Sequence, residues 1–346
     1  MPIDIRKMDL DTLQSTFEEM GVAKYRAKQV HEWLWKKAAR SFDEMTNLSK
    51  DFREELKTKF ALESVSEMPP QISKDGTVKL GMRLHDDRIV EGVMIPEVDR
   101  ATACVSSQVG CSLSCSFCAT GFLKRDRNLE MAEIFDQIVL LNKYAKEAND
   151  GRGLTNIVYM GMGEPLLNYD NVIQSIRMVC SPDGLNMAQK RITLSTSGIV
   201  RGIMRLAEEG MKFNLALSLH AANDEKRSQI MDINKSNPID ELVTALNFFY
   251  KKTGNKITFE YILFDGFNDS IADANELIQL SKRVPAFINI IEYNNVEEVP
   301  YKRSKKETRD KFLEHLRKNG ISAAVRRSRG KDIDAACGQL ANKNQD

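Results

Sequence analysis

From about residue 98 onward, the chain alternates between short apolar segments typical of strands and amphipathic segments typical of helices. The predicted strands are 101–106, 156–160, 192–195, 214–218, 258–263 and 287–292, and the predicted helices are 130–146, 169–178, 200–209, 239–252, 271–282 and 306–319. Repeated strand–helix units favour a parallel sheet with right-handed crossovers. Six units predict an α/β fold, a partial (β/α)6 barrel. A Rossmann sheet is the alternative, but no G-x-G-x-x-G motif follows the first strand.

The part of the chain before this alternation has a helical pattern. Basic and apolar positions alternate between residues 24 and 37, and residues 48–60 repeat with a helical period. Met68-Pro69-Pro70 interrupts the pattern, and extended segments follow at 78–84 and 89–95. We therefore expect a small N-terminal helical accessory domain over residues 1–65, a β linker over 66–97, the barrel over 98–330 and a C-terminal tail over 331–346.

Composition and charge indicate the compartment and the kind of partner. The sequence contains no long apolar run and no apolar signal-peptide stretch, so we expect a cytoplasmic protein without a membrane segment. The net charge is only +1, but basic residues are clustered. Residues 301–331 contain twelve Lys/Arg and three Asp/Glu, and residues 24–40 contain six Lys/Arg and one Glu. Lys124, Arg125 and Arg127 form a third cluster. Such clusters favour a nucleic-acid-binding face over ordinary solvated helix faces.

Three cysteines are crowded into one loop directly after the first predicted barrel strand. Cys111, Cys115 and Cys118 have C-x3-C-x2-C spacing. Three thiolates are one too few for a fully ligated four-iron cluster, so such a loop leaves one iron open for another ligand. A structural zinc site with Cys104 as the fourth ligand is the alternative, but structural zinc usually takes its cysteines in two separated pairs. The close spacing of the three cysteines therefore favours a catalytic metal cluster over a closed structural site.

Glycine and polar residues follow the later predicted strands in the same way. They are Gly161–Pro165 after the second strand, Ser195–Gly198 after the third, Ser218–His220 after the fourth and Asn294 after the sixth. In such barrels the carboxyl ends of the strands converge, so these loops are expected to build one site. Glycines permit close backbone approach to a ligand, and the polar groups suit a ribose or an amino-acid head group. Each residue alone is more typical of an ordinary polar loop group than of a binding site.

Two further cysteines lie far apart in the sequence. Cys104 lies on the predicted strand that leads into the cysteine loop, and Cys337 lies near the C-terminus. The two thiols form a redox pair if the tail folds over the mouth of the barrel. The alternative is that both are small buried apolar residues, as isolated cysteines commonly are.

The motifs together resemble those of the radical-SAM adenosine methyltransferases that modify 23S ribosomal RNA and tRNA, the RlmN/Cfr family. The matching segments are CVSSQVGCSLSCSFCATG at 104–121, GMGEPLLN at 161–168, LSTSG at 194–198, LSLHA at 217–221 and DIDAACGQ at 332–339. They occur in family order and extend from residue 91 to the C-terminus. The N-terminal segment resembles the family's accessory domain less distinctively.

This resemblance implies two cofactors and their ligands. Cys111, Cys115 and Cys118 would hold a 4Fe-4S cluster whose fourth iron binds S-adenosylmethionine (SAM). The positions that match the family's SAM contacts are Gly163, Glu164, Ser195, Ser218, Leu219, His220 and Asn294.

The resemblance also implies a catalytic sequence. One SAM methylates Cys337, and a second yields a 5′-deoxyadenosyl radical that takes a hydrogen from this S-methyl group. The carbon radical adds to adenine, which is not nucleophilic at that carbon. Cys104 then releases the product by forming a disulfide with Cys337, and Glu91 is the proton acceptor.

The implied substrates are adenosines in the peptidyl transferase centre of 23S rRNA and in tRNA, with methylation at C2. The implied partners also include an external, flavodoxin-like one-electron donor, and the implied state is a monomer. Three alternatives remain open: methylation at C8, as in the resistance branch of the family; another radical-SAM reaction without a methylcysteine; and a non-catalytic RNA-binding metalloprotein.

Overall fold

The structure is a computed structural model that describes residues 2–296 and 299–342. Its strands are β1 (Ile3–Asp4), β2 (Phe60–Ala61), β3 (Ser66–Glu67), β4 (Gln71–Ile72), β5 (Val78–Arg83), β6 (Ile89–Glu97), β7 (Arg100–Cys104), β8 (Asn156–Tyr159), β9 (Ile192–Thr196), β10 (Asn214–Ser218), β11 (Ile257–Leu263), β12 (Ala286–Glu292) and β13 (Ala323–Arg326). Its α-helices are α1 (Leu10–Glu19), α2 (Tyr25–His31), α3 (Lys50–Lys59), α4 (Met131–Ala148), α5 (Tyr169–Cys180), α6 (Val200–Glu209), α7 (Asp224–Ile230), α8 (Ile239–Thr253), α9 (Ile271–Ser281) and α10 (Lys306–Lys318).

One large sheet organises the molecule, in the order β13-β12-β11-β10-β9-β8-β7-β6-β5-β3, with β4 paired to β5. Neighbouring strands from β7 to β13 are parallel, and β6 joins β7 in antiparallel orientation. The six predicted barrel strands match β7–β12 to within two residues, and the six predicted helices match α4, α5, α6, α8, α9 and α10 equally well. The α/β partial (β/α)6 barrel is confirmed.

Alternation along the barrel strands separates a helix-facing apolar layer from a polar interior. In β11, Phe259, Tyr261 and Leu263 are fully buried, whereas Thr258 and Glu260, which alternate with them, line an interior cavity. This period of two is the strand geometry that a half-apolar, half-polar pattern produces. The polar interior opens at the carboxyl ends of the strands, which is where the predicted site residues lie.

The N-terminal segment packs on the barrel through helix α4. Trp35 meets Phe135 edge-on at a ring-centroid distance of 5.3 Å. The buried guanidinium of Arg6 donates to Asp136 at 2.8 Å, and the other carboxylate oxygen of Asp136 accepts from the backbone N–H of Val65. Because β5 and β6 continue the barrel sheet, the segment 66–97 contributes strands to that sheet; the predicted domain boundaries stay predictions. In the described part of the chain, every helix is too short or too polar to cross a membrane.

Candidate active site

The cysteine loop leaves β7 and is fastened to the segment that follows it. Cys111 and Lys124 form an isolated parallel bridge. A Cβ atom on Gly110, whose φ is +73°, would overlap the carbonyl oxygen of Lys124, so the close approach requires glycine. Burial raises the pKa of Cys111 to about 11 and raises the pKa values of Cys115 and Cys118 as well. The three thiols are therefore protonated at neutral pH until a metal displaces their protons.

The three cysteines line one cavity together with most of the predicted SAM contacts. The shared lining comprises Cys111, Cys115, Cys118, Gly163, Glu164, Ser195, Ser218, His220 and Cys337. Thiol sulfurs supply one wall, and carboxylate, hydroxyl and backbone groups supply the other. This donor set fits an iron–sulfur cluster beside a polar cofactor with amino and carboxylate groups.

Two of the predicted SAM contacts, Leu219 and Asn294, do not line this cavity. The Leu219 side chain is buried in the core and is not part of the cavity lining. Asn294 lies outside the lining too, but its amide nitrogen donates to Ser328 Oγ at 3.1 Å and to the carbonyl of Cys337 at 3.4 Å. The Oδ1 of Asn294 is buried and has no hydrogen-bond partner among the described residues, so it is an acceptor available to a ligand. The role of every predicted SAM contact stays a prediction.

Glu164 ties the loop after β8 to the loop after β9. Its carboxylate accepts the backbone N–H groups of Leu166 at 3.0 Å and Ser197 at 2.7 Å. Burial is the largest influence and raises its pKa, while these hydrogen bonds oppose that shift. Gly163 precedes it with φ +95°, and a Cβ there would lie 2.5 Å from Gln108 Cβ. The loop therefore presents its backbone to the cavity with little freedom.

His220 is a neutral hydrogen-bonding group in this site. It is 4% exposed, and Phe117 packs edge-on against its ring at 4.9 Å. Its Nδ1 accepts the backbone N–H of Ile262 at 3.2 Å. Burial, and secondarily the nearby Arg227 guanidinium, lowers its pKa to about 3. The imidazole is therefore suited to positioning rather than to taking protons at neutral pH.

Arg227 is a site residue that sequence reasoning missed. The buried guanidinium donates to the backbone carbonyls of Ser197 at 2.6 Å, Ser218 at 3.2 Å and Leu219 at 3.1 Å. It thus fixes the distance between the end of β9 and the end of β10. Burial lowers its pKa to about 10, which still leaves it charged at neutral pH. It lies in α7, a short helix that was not predicted, and no sequence signal marks it.

Cys104 and Cys337 line a second cavity, of about 610 Å³, in the barrel interior. Both are free thiols, and burial raises the pKa of Cys104 to about 12. Arg326 and Glu260 line the same cavity and are ion-paired at 3.2 Å. Sequence reasoning missed this pair, although a lone glutamate in the apolar predicted strand 258–263 was an available signal. The structure brings the two remote cysteines together at one cavity.

The C-terminal tail lies across the mouth of the barrel and carries Cys337 into it. The N–H of Ala119 donates to the carbonyl of Gly338 at 2.8 Å, and Thr120 Oγ1 donates to the carbonyl of Leu340 at 2.6 Å. Both donors directly follow the cysteine loop. The tail is therefore attached to the element that carries the predicted cluster ligands.

Glu91 is buried on β6 and contacts this tail. Its carboxylate accepts the backbone N–H groups of Ala341 at 3.0 Å and Asn342 at 3.1 Å, and Lys79 Nζ lies 3.5 Å away. Glu91 does not line either cavity. Its predicted role as proton acceptor stays a prediction.

Comparisons with known proteins agree with this geometry. Residues 3–62 match the family model "Ribosomal RNA large subunit methyltransferase N-terminal domain", and residues 105–278 match "Radical SAM superfamily". Proteins named "Probable dual-specificity RNA methyltransferase RlmN" are 53% identical in Cytophaga hutchinsonii, over 98% of this chain and 93% of that protein, and 44% identical in Streptococcus mutans, over 93% and 90%. A crystal structure of a radical SAM methyltransferase from Sphaerobacter thermophilus is 42% identical with a TM-score of 0.93, covering 98% of this chain and 99% of that one.

Proposed function

The chain belongs to the RlmN family of radical-SAM RNA methyltransferases, and on that premise we propose that it methylates C2 of adenosine in 23S rRNA and in tRNA. The observation that carries this proposal is the position of Cys337. It lines both the cavity shared with the cysteine loop and the interior cavity that contains Cys104. A methyl carrier must reach the cofactor on one side and the RNA base on the other, and Cys337 borders both spaces.

The cofactors have a defined place in this proposal. When bound, a 4Fe-4S cluster and SAM supply the methyl group and the one-electron chemistry that a non-nucleophilic adenine carbon requires. Cys111, Cys115 and Cys118 would hold the cluster. Gly163, Glu164, Ser195, Ser218, Leu219, His220 and Asn294 would contact SAM, and Arg227 would keep the β9 and β10 loops at the spacing that SAM needs.

The interior cavity would complete the reaction. The Cys337 sulfur accepts the methyl group, and the product is then tethered to it. The Cys104 thiolate attacks that sulfur and forms a Cys104–Cys337 disulfide, while the bond from the Cys337 sulfur to the methylene carbon breaks. The electron pair of that bond stays on the carbon, which takes up a proton, and the methylated RNA leaves. Arg326 places a guanidinium at the cavity wall, where its positive charge partly opposes the burial that raises the pKa of Cys104. Glu91 accepts a proton from the substrate once the tail no longer occupies its carboxylate.

The substrates and partners follow from the same reading. We place RNA contact on the N-terminal accessory domain of residues 1–65 and on Arg327 and Arg329, which line the interior cavity. The chain acts in the cytoplasm as a monomer. An external flavodoxin-like protein supplies the one electron that the radical chemistry consumes, and a two-electron thiol reductant returns the Cys104–Cys337 disulfide to two thiols before the next turnover.

Anaerobic methylation tests this function. Reconstituted protein is incubated with SAM, dithionite and either a 23S rRNA fragment or tRNA, and the digested nucleosides are identified by mass spectrometry against standards. We expect 2-methyladenosine from both RNAs and none with the Cys337→Ala variant. A dominant 8-methyladenosine product would assign the chain to the C8 branch. A colourless zinc protein that binds RNA without methylating it would support the metalloprotein alternative.

A further inference from the structure

The cysteine loop has a second, outward-facing surface that the reaction described above does not use. It is a concave pocket with a volume of about 850 Å³. Its lining consists of Leu167 and part of the segment 111–125. We call it the outer loop face. Phe122 is 53% exposed and Leu167 is 38% exposed, so apolar groups lie at its centre. Exposed apolar groups in a concave surface are typical of a site of protein association.

The outer loop face carries positive charge that the chain does not neutralise. Lys124 and Arg125 are exposed on it, and neither forms an ion pair within residues 2–296 and 299–342. The adjacent Asp126 is paired with Arg88, so it does not compensate them. Two adjacent free cations remain beside the apolar centre.

More positive charge flanks the loop from another segment. Ser116 Oγ and Tyr301 Oη are hydrogen-bonded at 3.1 Å, which brings the segment after residue 301 against the cysteine loop. Lys302 and Arg303 follow Tyr301 and are exposed, and neither has an ion-pair partner among the residues that the structure describes. The loop is thus flanked by cations from two parts of the chain.

The outer loop face also borders two of the cysteines that are predicted to hold the cluster. Cys111 and Cys115 line both this surface and the inner cavity. The N–H of Cys111 donates to the carbonyl of Leu123 at 3.5 Å, and Cys111 pairs with Lys124. Because electron transfer slows steeply with distance, a donor must approach the cluster closely, and this face offers a short route.

We propose that the outer loop face docks an acidic, flavin-carrying electron-transfer protein of the flavodoxin type. An apolar centre with a charged rim of opposite sign suits a small, transient interface. One electron passes from the reduced flavin to the oxidised cluster; the donor loses that electron and the cluster gains it. From the sequence alone, the cluster with Lys124 and Arg125 favours nucleic-acid binding. RNA fits this face less well in the structure, because the target base must reach Cys337, which lines the other two cavities and not this surface.

This inference rests on the proposed function, and the test separates the two. The full-length reconstituted enzyme carries Lys124→Glu and Arg125→Glu together. Its affinity for flavodoxin is measured at low salt, and methyladenosine formation is measured with flavodoxin, its reductase and NADPH, or with dithionite. The matched control is Lys212→Glu with Lys251→Glu, two exposed lysines outside the outer loop face.

We expect the double variant to bind flavodoxin at least about tenfold more weakly and to lose flavodoxin-driven methylation by a similar factor, because steering by charge is removed. Dithionite-driven methylation and tRNA affinity stay at wild-type values, and the control variant matches wild type throughout. Unchanged flavodoxin affinity in the double variant overturns the docking site, whether or not RNA is methylated. Weakened tRNA affinity with normal flavodoxin binding assigns the face to RNA instead. Absence of methylation by wild type with dithionite contradicts the proposed function, and the flavodoxin affinities still test the docking site.

Discussion

At the scale of single residues, the carboxylate of Glu91 already has hydrogen-bond and ion-pair partners within the chain. It accepts two backbone N–H groups from the tail and pairs with the buried ammonium of Lys79. A proton acceptor must offer a free lone pair to its substrate. The proposed role of Glu91 as proton acceptor therefore requires the tail around Asn342 to move away first.

We expect Glu91→Gln to lower the free energy of unfolding by about 3 kcal/mol, because it leaves the Lys79 charge buried without its counter-charge. The variant is also expected to stall with RNA attached. Adding Lys79→Met removes the orphaned charge and should restore much of the stability but none of the turnover. Denaturant unfolding and a denaturing gel of protein and RNA measure the two effects. A Glu91→Gln enzyme with normal turnover would exclude the proton-acceptor role.

The predicted resolving role of Cys104 can be tested with a variant that lacks this thiol. With Cys104→Ala, the product sulfur on Cys337 meets no second thiol in the interior cavity, so a covalent protein–RNA adduct should accumulate. Cys180→Ala is the matched control, because Cys180 ends α5 and lines neither cavity. The adduct is read as a shifted band on a denaturing gel. Free methylated RNA produced at the normal rate by Cys104→Ala would exclude the resolving role.

At the scale of secondary structure elements, strands and helices were predictable wherever the apolar period was long and uninterrupted. β13 was not predicted, because Ala323–Arg326 is a four-residue strand with one β-branched residue. Arg326 reaches the interior cavity only because β13 pairs with β12. Arg227 likewise has its role through contacts with the ends of two strands, at Ser197, 30 residues away, and at Ser218. Such residues depend on the assembled barrel, so the local pattern does not reveal them.

The turn between β8 and α5 depends on Gly163. An alanine there would place Cβ 2.5 Å from Gln108 Cβ at φ +95°, so we expect Gly163→Ala to cost roughly 2–3 kcal/mol of stability and to weaken SAM binding. Gly210→Ala is the control: its φ is +63°, but no atom lies within 4 Å of the added Cβ. Thermal unfolding and SAM titration compare the two. Equal effects on SAM binding would mean that the close approach at Gly163 is unimportant.

An ion-pair network ties the turn between β5 and β6 to the start of α4. Arg127 donates to Asp86 at 2.7 Å and to both carboxylate oxygens of Glu133 at 2.8 Å. The hydrogen bond from Arg127 is the largest influence on Asp86 and lowers its pKa to about 2. Because this pKa lies below that of an unfolded aspartate, about 3.9, the carboxylate stabilises the fold above about pH 4. That contribution is lost as the pH falls from about 4 to about 2.

We therefore expect Asp86→Asn to lower the free energy of unfolding by about 2 kcal/mol at pH 7. Between about pH 4 and pH 2, the variant should lose less stability than the wild-type protein does. Asp87→Asn is the neighbouring control, since Asp87 is an exposed residue with only a long 3.8 Å ion pair to Arg83. Urea unfolding across this pH range measures both. An identical acid dependence in wild type and Asp86→Asn would refute the assignment.

At the scale of the whole molecule, three spaces meet around the cysteine loop. The outer loop face lies on one side, the cavity shared by the cysteines and Glu164 lies on the other, and the interior cavity with Cys104 continues beyond it. Cys337 borders the last two. The tail that carries it spans the barrel mouth from Asp332, which accepts from Ser73 at 2.5 Å, to Asn342, which contacts Glu91. The sequence motifs predicted many of the residues that line these cavities but not Arg326 or Glu260, and the order of the three spaces required the folded chain.

The central claim is that the methyl carbon reaches adenine C2 by way of Cys337. It is tested most directly by supplying SAM with a fully deuterated methyl group and weighing the methyladenosine recovered from tRNA. If one methyl hydrogen is removed while the carbon is bound to Cys337, the new methyl group at C2 carries two deuterium atoms and one hydrogen, which arrives as a proton when the product is released. We expect that product from wild type and no product from Cys337→Ala. A methyl group that retains all three deuterium atoms, or that is attached to a nitrogen or to C8, would contradict the claim.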